Sequence, residues 1–347
     1  MLLYLAILDK VTGHLRYSSA GHPETLLKRA SGEIHAARLP GARSGTVRTM
    51  RKALLFLDLA RSRSALLSVS EPVLGALLAA RAFPSARVAL LGLIAALSGY
   101  FCVYSLNDLL DLRADREDIH LSTTDPAAWQ PEVTHLDITT LRHPVAAGAL
   151  PLWAATTWVG VLGVIGLAAA FLLRPLCAWL FIGCAALEVI YCGLRHRTWL
   201  KVIAAATLVA MGGLAGWFAV GRATWGAFGF FFLLFGWEVS RNLSNDLADV
   251  SHDRRVGITT LAAVHGSPVA LRAIVAVACV MPLIGLAQPA PWTIRGLLAL
   301  AAIVTMTAPA VLLQRENGTE AAAQRYFNRA SLFPPAAAFC MIIWALV

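Results

Sequence analysis

Six aspartates, in two groups far apart in the chain, have a spacing suited to metal chemistry. Residues 107–116 read NDLLDLRADR and residues 245–254 read NDLADVSHDR, so the pattern Asn-Asp-x-x-Asp-x-x-x-Asp-Arg occurs twice. Residues three and four apart share a helix face. Asp108, Asp111 and Asp115 therefore make one carboxylate stripe, and Asp246, Asp249 and Asp253 make another. Like charges this close repel, and a hard divalent cation bridging them removes the penalty. Mg²⁺ favours carboxylate oxygen and commonly binds through one or two carboxylates plus the phosphates of a substrate. Two stripes facing each other would hold Mg²⁺ with a diphosphate clamped between them. Cations to balance such an anion are Arg142, Lys201, Arg254 and Arg255, with Arg195 and Arg197 as weaker candidates. Asn107 and Asn245 suit either a helix-end hydrogen bond or support of a metal-bound water. One such motif alone would read as readily as solvated charge at a membrane boundary, but two matching copies on one side favour a site.

The elements that must position these groups are apolar helices. Hydrophobic residues make up 58% of the 347, only 14% are charged, and mean hydropathy is +0.66. A soluble domain usually carries about 25% charged residues. Apolar stretches near the length that spans a hydrocarbon core recur along the chain. LWAATTWVGVLGVIGLAAAFLL (152–173) has no polar face at helical spacing. These features predict an all-α, polytopic membrane protein with nine spans. They fall at 65–82, 86–106, 150–173, 175–194, 199–220, 225–243, 267–287, 292–313 and 327–347. The first is the weakest, because it contains Glu71.

Arg and Lys in the short loops set the orientation. Arg113, Arg116, Arg142, Arg195, Arg197, Lys201, Arg241, Arg254, Arg255, Arg315, Arg325 and Arg329 fall in one set of loops, and the other set is poorer in them. The basic set reads as cytoplasmic, with the N-terminus inside, which puts both aspartate motifs on the cytoplasmic side of the membrane. The formal net charge of +9 follows from this topology and calls for no nucleic-acid partner. All six cysteines lie in apolar stretches without a C-x-x-C pair and read as buried free thiols. The start, MLLYLAILDK, lacks the basic region and the apolar length of a signal peptide. Residues 1–41 alternate like strands between the turn signals DKVTG and ASGE, and residues 42–64 read as a basic linker.

With these residues in place, the chain over about 65–347 resembles the UbiA superfamily of intramembrane prenyltransferases. That family has nine transmembrane helices, an NDxxDxxxD motif after helix two and a DxxxD-type motif after helix six. Here NDLLDLRAD (107–115) and DLADVSHDRRVGITTLA (246–262) match them, with Gly257 and Thr260 at family-like places. RHPVAAGALP (142–151) is similar to the family's Arg-Pro-x-x-x-Gly segment, with His143 inserted before Pro144. The resemblance implies that Asp108, Asp111, Asp115, Asp249 and Asp253, supported by Asp246, hold Mg²⁺ and the diphosphate of a prenyl donor. It further implies that Arg142, Lys201 and Tyr191, with Arg254, contact the diphosphate, and that an aromatic or other lipophilic acceptor receives the prenyl group. A bacterial inner membrane is the implied location.

The 115–142 loop is longer than in many members, and Asp118, Asp125 and Asp137 within it read as loop charges. Residues 1–41, with AGHP at 20–23, resemble a fragment of bacterial metal-dependent serine/threonine phosphatases that lacks the upstream metal aspartates. No phosphatase activity is expected of it, and a regulator built on it is a minor alternative. Two other readings compete for the membrane part. One is a UbiA-like transferase moving a phosphosugar to a polyprenyl phosphate, which AAGALP resembles. The other is a transporter, which would place its acids near mid-membrane rather than at one face.

Overall fold

A computed structural model describes residues 4–9, 14–19, 25–28, 34–37, 53–117, 141 and 143–346. The chain divides into two units, Met1–Leu54 and Leu55–Val347. The first contains two antiparallel hairpins, β1 (Tyr4–Asp9) with β2 (His14–Ser19) and β3 (Thr25–Lys28) with β4 (Ile34–Ala37). They lie where the alternating pattern predicts strands.

The second unit is a helical membrane bundle. A short helix α1 (53–59) precedes α2 (Ser62–Ser68) and α3 (Ser70–Ala80). The long α4 (Ala86–Leu110) runs into a further helical stretch, α5 (112–117). Then come α6 (Leu152–Leu173), α7 (Pro175–Leu194), α8 (Lys201–Val220) and α9 (Trp225–Ala248). Two short helices, α10 (Val250–Val256) and α11 (Leu261–His265), lead to α12 (Ser267–Leu286). A single span is built from α13 (Trp292–Ala302), a π-turn (Ile303–Thr307) and α14 (Ala308–Arg315). The last span joins α15 (Glu320–Ala330) to α16 (Phe333–Leu346).

Among the described residues, eight spans are long and apolar enough to cross a membrane. The ninth expected crossing is α9, which has the length but carries Glu238, Arg241 and Asp246 in its second half. Those three face the interior of the bundle, where polar groups are tolerable, so the nine-helix expectation holds. The Glu71 that made the first span look weak is buried and accepts a hydrogen bond from Tyr100 Oη at 2.5 Å. Gly216 of α8 and Gly75 of α3 let these two helices approach closely. A Cβ on Gly216 would lie 1.9 Å from Pro72 O.

One boundary is corrected. The stretch expected as a linker over 42–64 is helical from 53 onward. The apolar run ALLFLDLA (53–60) packs Leu59 with Val145, Leu150 and Ala155, and Leu55 and Phe56 join that cluster. Burying those side chains outweighs the linker-like Arg and Ser around them.

Candidate active site

Both aspartate motifs are built by the same backbone device. Asp111 N–H donates to Asn107 O at 2.9 Å and Asp115 N–H to Asp111 O at 2.9 Å. In the second motif Asp249 N–H donates to Asn245 O at 3.1 Å and Asp253 N–H to Asp249 O at 2.8 Å. Asp111 (φ −90°, ψ 3°) and Asp249 (φ −103°, ψ 12°) each sit in the bridge region where the long helix yields to a short one. Helical hydrogen bonding thus continues through a bend, and each stripe stays on one face. Gly257, at φ +72°, ends α10, and the Thr260 hydroxyl caps α11 by accepting from Ala263 N–H at 3.1 Å.

The two stripes line one cavity of about 210 Å³. Asp108 and Asp111 enter from α4 and its end, and Asp246, Asp249 and Asp253 from α9 and α10. Asn107, Asn245, Tyr191 and Lys201 line it too. Asp115 is buried behind this lining and joins it through His143, whose Nδ1 lies 2.9 Å from Asp115 Oδ2. Arg142 lies outside the described residues, as do Asp118, Asp125 and Asp137. Arg254 does not line the cavity: it is exposed, and its Nη2 donates to Ala262 O at 3.2 Å. The helical geometry of α10 explains this, because adjacent Asp253 and Arg254 point about 100° apart and cannot both face inward.

Each stripe faces a cation from elsewhere in the chain. Lys201, buried at the start of α8, donates to Asp246 Oδ1 at 3.0 Å, with its Nζ 5.6 Å from the centroid of the Tyr191 ring. Arg195 Nη1 donates to Asp111 Oδ2 at 2.5 Å, promoting it from a weaker candidate to a member of the site. Arg61 Nη2 donates to Asp108 Oδ1 at 3.0 Å and to Asn107 Oδ1 at 2.9 Å. His143 Nδ1 also faces Asp108 Oδ1, at 3.5 Å. Burial opposes charge on the His143 ring, but hydrogen bonds to Asp108 and Asp115 raise its pKa above the usual 6.5.

Arg61 and His143 line the cavity although the sequence does not single them out. Arg61 falls in the stretch expected as a linker, and the apolar run before it is the signal for a docked helix. In the sequence His143 stands only as an insertion before Pro144. Both have positive φ, 43° and 53°, and both are aimed at Asp108. Such backbone is costly for residues other than glycine and gathers where a site demands it. Glu188, which accepts from Asn107 Nδ2 at 2.8 Å, was missed as well. A lone acid in an apolar span was its signal.

The polar cavity borders an apolar one of about 390 Å³, and Tyr100, Val103 and Leu208 line both. An anionic group fits among the cations of the first, and a hydrocarbon fits the second.

The acid set fits a divalent cation. One ligand atom each from Asp108, Asp115 and His143 lie within 4.8 Å of one another. Across the cavity Asp246 Oδ2 is buried without a hydrogen-bond partner. A carboxylate oxygen left so is costly unless a ligand completes it.

Asp253 lies outside the spans, and burial, then the neighbouring Asp246 and Asp249, push its pKa from 3.8 to about 7. The folded protein therefore holds that proton more tightly than the unfolded chain. Between 3.8 and about 7 the unfolded state gives up its proton first, so metal-free stability falls as pH rises through that window. Melting temperature of metal-free protein against pH is expected to show this fall, with Asp253→Asn flattening it. An unchanged slope in that variant would assign the fall to other groups.

The family model of the UbiA prenyltransferase family matches residues 72–332. A decaprenyl-phosphate phosphoribosyltransferase from two strains of Mycobacterium tuberculosis is 31% identical over 115 residues, which is 33% of this chain. The match spans 32% of that relative's own length. Among solved structures, the chain is similar to the apo form of a UbiA homolog from Aeropyrum pernix K1. That likeness has TM-score 0.64 at 18% identity, covering 80% of this chain and 97% of the other. It is also similar to a UbiA homolog from Archaeoglobus fulgidus bound to GPP and Mg²⁺, with TM-score 0.63 at 15% identity, covering 84% and 100%. At these identities the structures establish a shared fold.

Proposed function

The chain belongs to the UbiA prenyltransferase family and is a multi-pass membrane transferase, and from that premise we propose that it moves a prenyl group from an allylic diphosphate to an aromatic or other lipophilic acceptor. The observation that carries the reading is the pair of aspartate stripes converging on one cavity that adjoins an apolar chamber. Asp108, Asp111 and Asp115 on one side, and Asp246, Asp249 and Asp253 on the other, are the groups that would hold Mg²⁺. When bound, Mg²⁺ neutralises the diphosphate and stabilises it as it leaves. The GPP and Mg²⁺ in the similar Archaeoglobus structure support this choice of ion and donor.

The chain's own residues do the rest. Lys201, Arg195 and Arg61 offer cationic donors to the diphosphate oxygens, with Arg142 as a further candidate from the same loop as His143. The apolar chamber takes the prenyl chain and keeps water from the reacting carbon. The C1–oxygen bond of the donor breaks with its electron pair going to diphosphate, the acceptor supplies the pair that forms the new bond, and the proton the acceptor then sheds passes to the released diphosphate or to water. A bacterial inner membrane with the aspartate face cytoplasmic is part of this reading, supported by the distribution of Arg and Lys in the loops. Residues 1–41 take no part in it and are read as a non-catalytic phosphatase-like fragment.

A second reading is favoured by one observation, the partial match to the phosphoribosyltransferase. There a phosphosugar diphosphate is the donor and a polyprenyl phosphate the acceptor. Purified protein in detergent with Mg²⁺ separates the two. Allylic diphosphates from geranyl to long-chain, each offered with hydroxybenzoate, dihydroxynaphthoate and homogentisate, are expected to give pyrophosphate and prenylated product. Product only from phosphoribosyl diphosphate and polyprenyl phosphate would transfer the assignment to the second reading.

A further inference from the structure

His143 brings a nitrogen donor to what the sequence presents as an all-carboxylate site. Its Nδ1 is 2.9 Å from Asp115 Oδ2 and 3.5 Å from Asp108 Oδ1. Single ligand atoms of the three residues lie within 4.8 Å of one another. Metal–ligand bonds of about 2.0–2.2 Å place donor atoms roughly 3–4.4 Å apart, so a small adjustment centres all three on one ion. Both carboxylates are nearly fully buried, Asp108 at 4% and Asp115 at 2% exposure. The ring is held there by a turn in which Ala147 N–H returns to His143 O at 2.9 Å and Ala149 N–H to Pro144 O at 2.9 Å. The same cavity carries the unpartnered, buried Asp246 Oδ2 on its opposite wall.

We propose that His143 is a ligand of the divalent cation at the first aspartate stripe, together with Asp108 and Asp115. The inference rests on the metal-dependent reading above and deepens it. Arg61, which shares Asp108 Oδ1 with His143, turns from that oxygen to the anionic substrate when the ion enters. Imidazole suits later divalent metals better than Mg²⁺, which prefers oxygen alone. The site therefore binds Mn²⁺ and Co²⁺ more tightly, relative to Mg²⁺, than the three carboxylates of that stripe alone would.

The test is pulsed EPR of the full-length protein loaded with Mn²⁺, alone and with inorganic pyrophosphate. Echo modulation from an imidazole nitrogen is expected, and labelling histidine with ¹⁵N should change its pattern. The His143→Asn variant should still bind Mn²⁺ but lose the modulation, and its ratio of Mn²⁺ to Mg²⁺ affinity should fall. Asparagine suits this position because it tolerates positive φ and offers an oxygen in place of the nitrogen. Bound Mn²⁺ without histidine coupling in the wild type, or coupling that survives in His143→Asn, would overturn the assignment and leave metal-dependent transfer intact. Failure to bind Mn²⁺ with or without pyrophosphate would overturn the metal-dependent reading itself.

Discussion

Asp108→Ala is expected to lower prenyl transfer by about 10³-fold, the scale of losing one preorganised group that stabilises developing charge. Asp108 is where the first stripe meets its partners. Its Oδ1 lies 3.0 Å from Arg61 Nη2 and 3.5 Å from His143 Nδ1, and the residue is buried. Removing the carboxylate deprives a cation of a ligand and leaves two positively inclined groups facing each other. Asp108→Asn separates charge from shape, since the amide keeps the volume and an acceptor oxygen for Arg61. It should insert and purify like the wild type and still lose most of the activity. Turnover at the wild-type rate by either variant, measured as pyrophosphate release and prenylated product, would remove Asp108 from the chemistry. Normal activity in Asp108→Asn alone would assign it a role in holding Arg61.

The largest stability effect is expected at Lys201. Lys201 Nζ and Asp246 Oδ1 are 3.0 Å apart, with the side chains 4% and 7% exposed. A buried pair adds little net stability, but breaking it strands a charge where water cannot reach. Lys201→Met should therefore cost about 3–5 kcal/mol. Lys201→Met combined with Asp246→Asn removes both charges and should recover most of that loss. Unfolding of the two single variants and the double variant in detergent completes the cycle, and residues in contact should couple. All three variants should transfer poorly, so stability returns in the double variant while activity does not. A Lys201→Met protein as stable as the wild type would show that the pair carries no such penalty.

The two predictions differ in how far the sequence alone supports them. The stripe holding Asp108 is legible in one dimension, because helix geometry converts three- and four-residue spacing into a shared face. The Lys201–Asp246 pair was foreseeable only as two charges near one membrane level. The nine spans were legible for a similar reason: hydrocarbon thickness fixes the length of an apolar helix. Even α9, whose Glu238 and Arg241 dilute its hydropathy, was placed by the run WGAFGFFFLLFGW (225–237) before them.

Where the sequence reading failed, a distant partner decided the outcome. The linker expectation for 42–64 gave way because α1 buries Leu59 against residues from 145 to 155, a partner no local pattern reveals. Arg254 and Lys201 have equal standing as cations in the sequence. Only the fold turns Arg254 to Ala262 O and Lys201 into the cavity.

The sequence by itself determined the membrane bundle, the two carboxylate stripes and their shared side, because each follows from periodicity, length or loop charge within one segment. Tertiary structure decided which cation meets which carboxylate, and brought Arg61 and His143 to Asp108 across 47 and 35 positions of chain. Charge pairing acts over a few ångströms in space and is indifferent to separation along the chain, so only the packed helices could assign it.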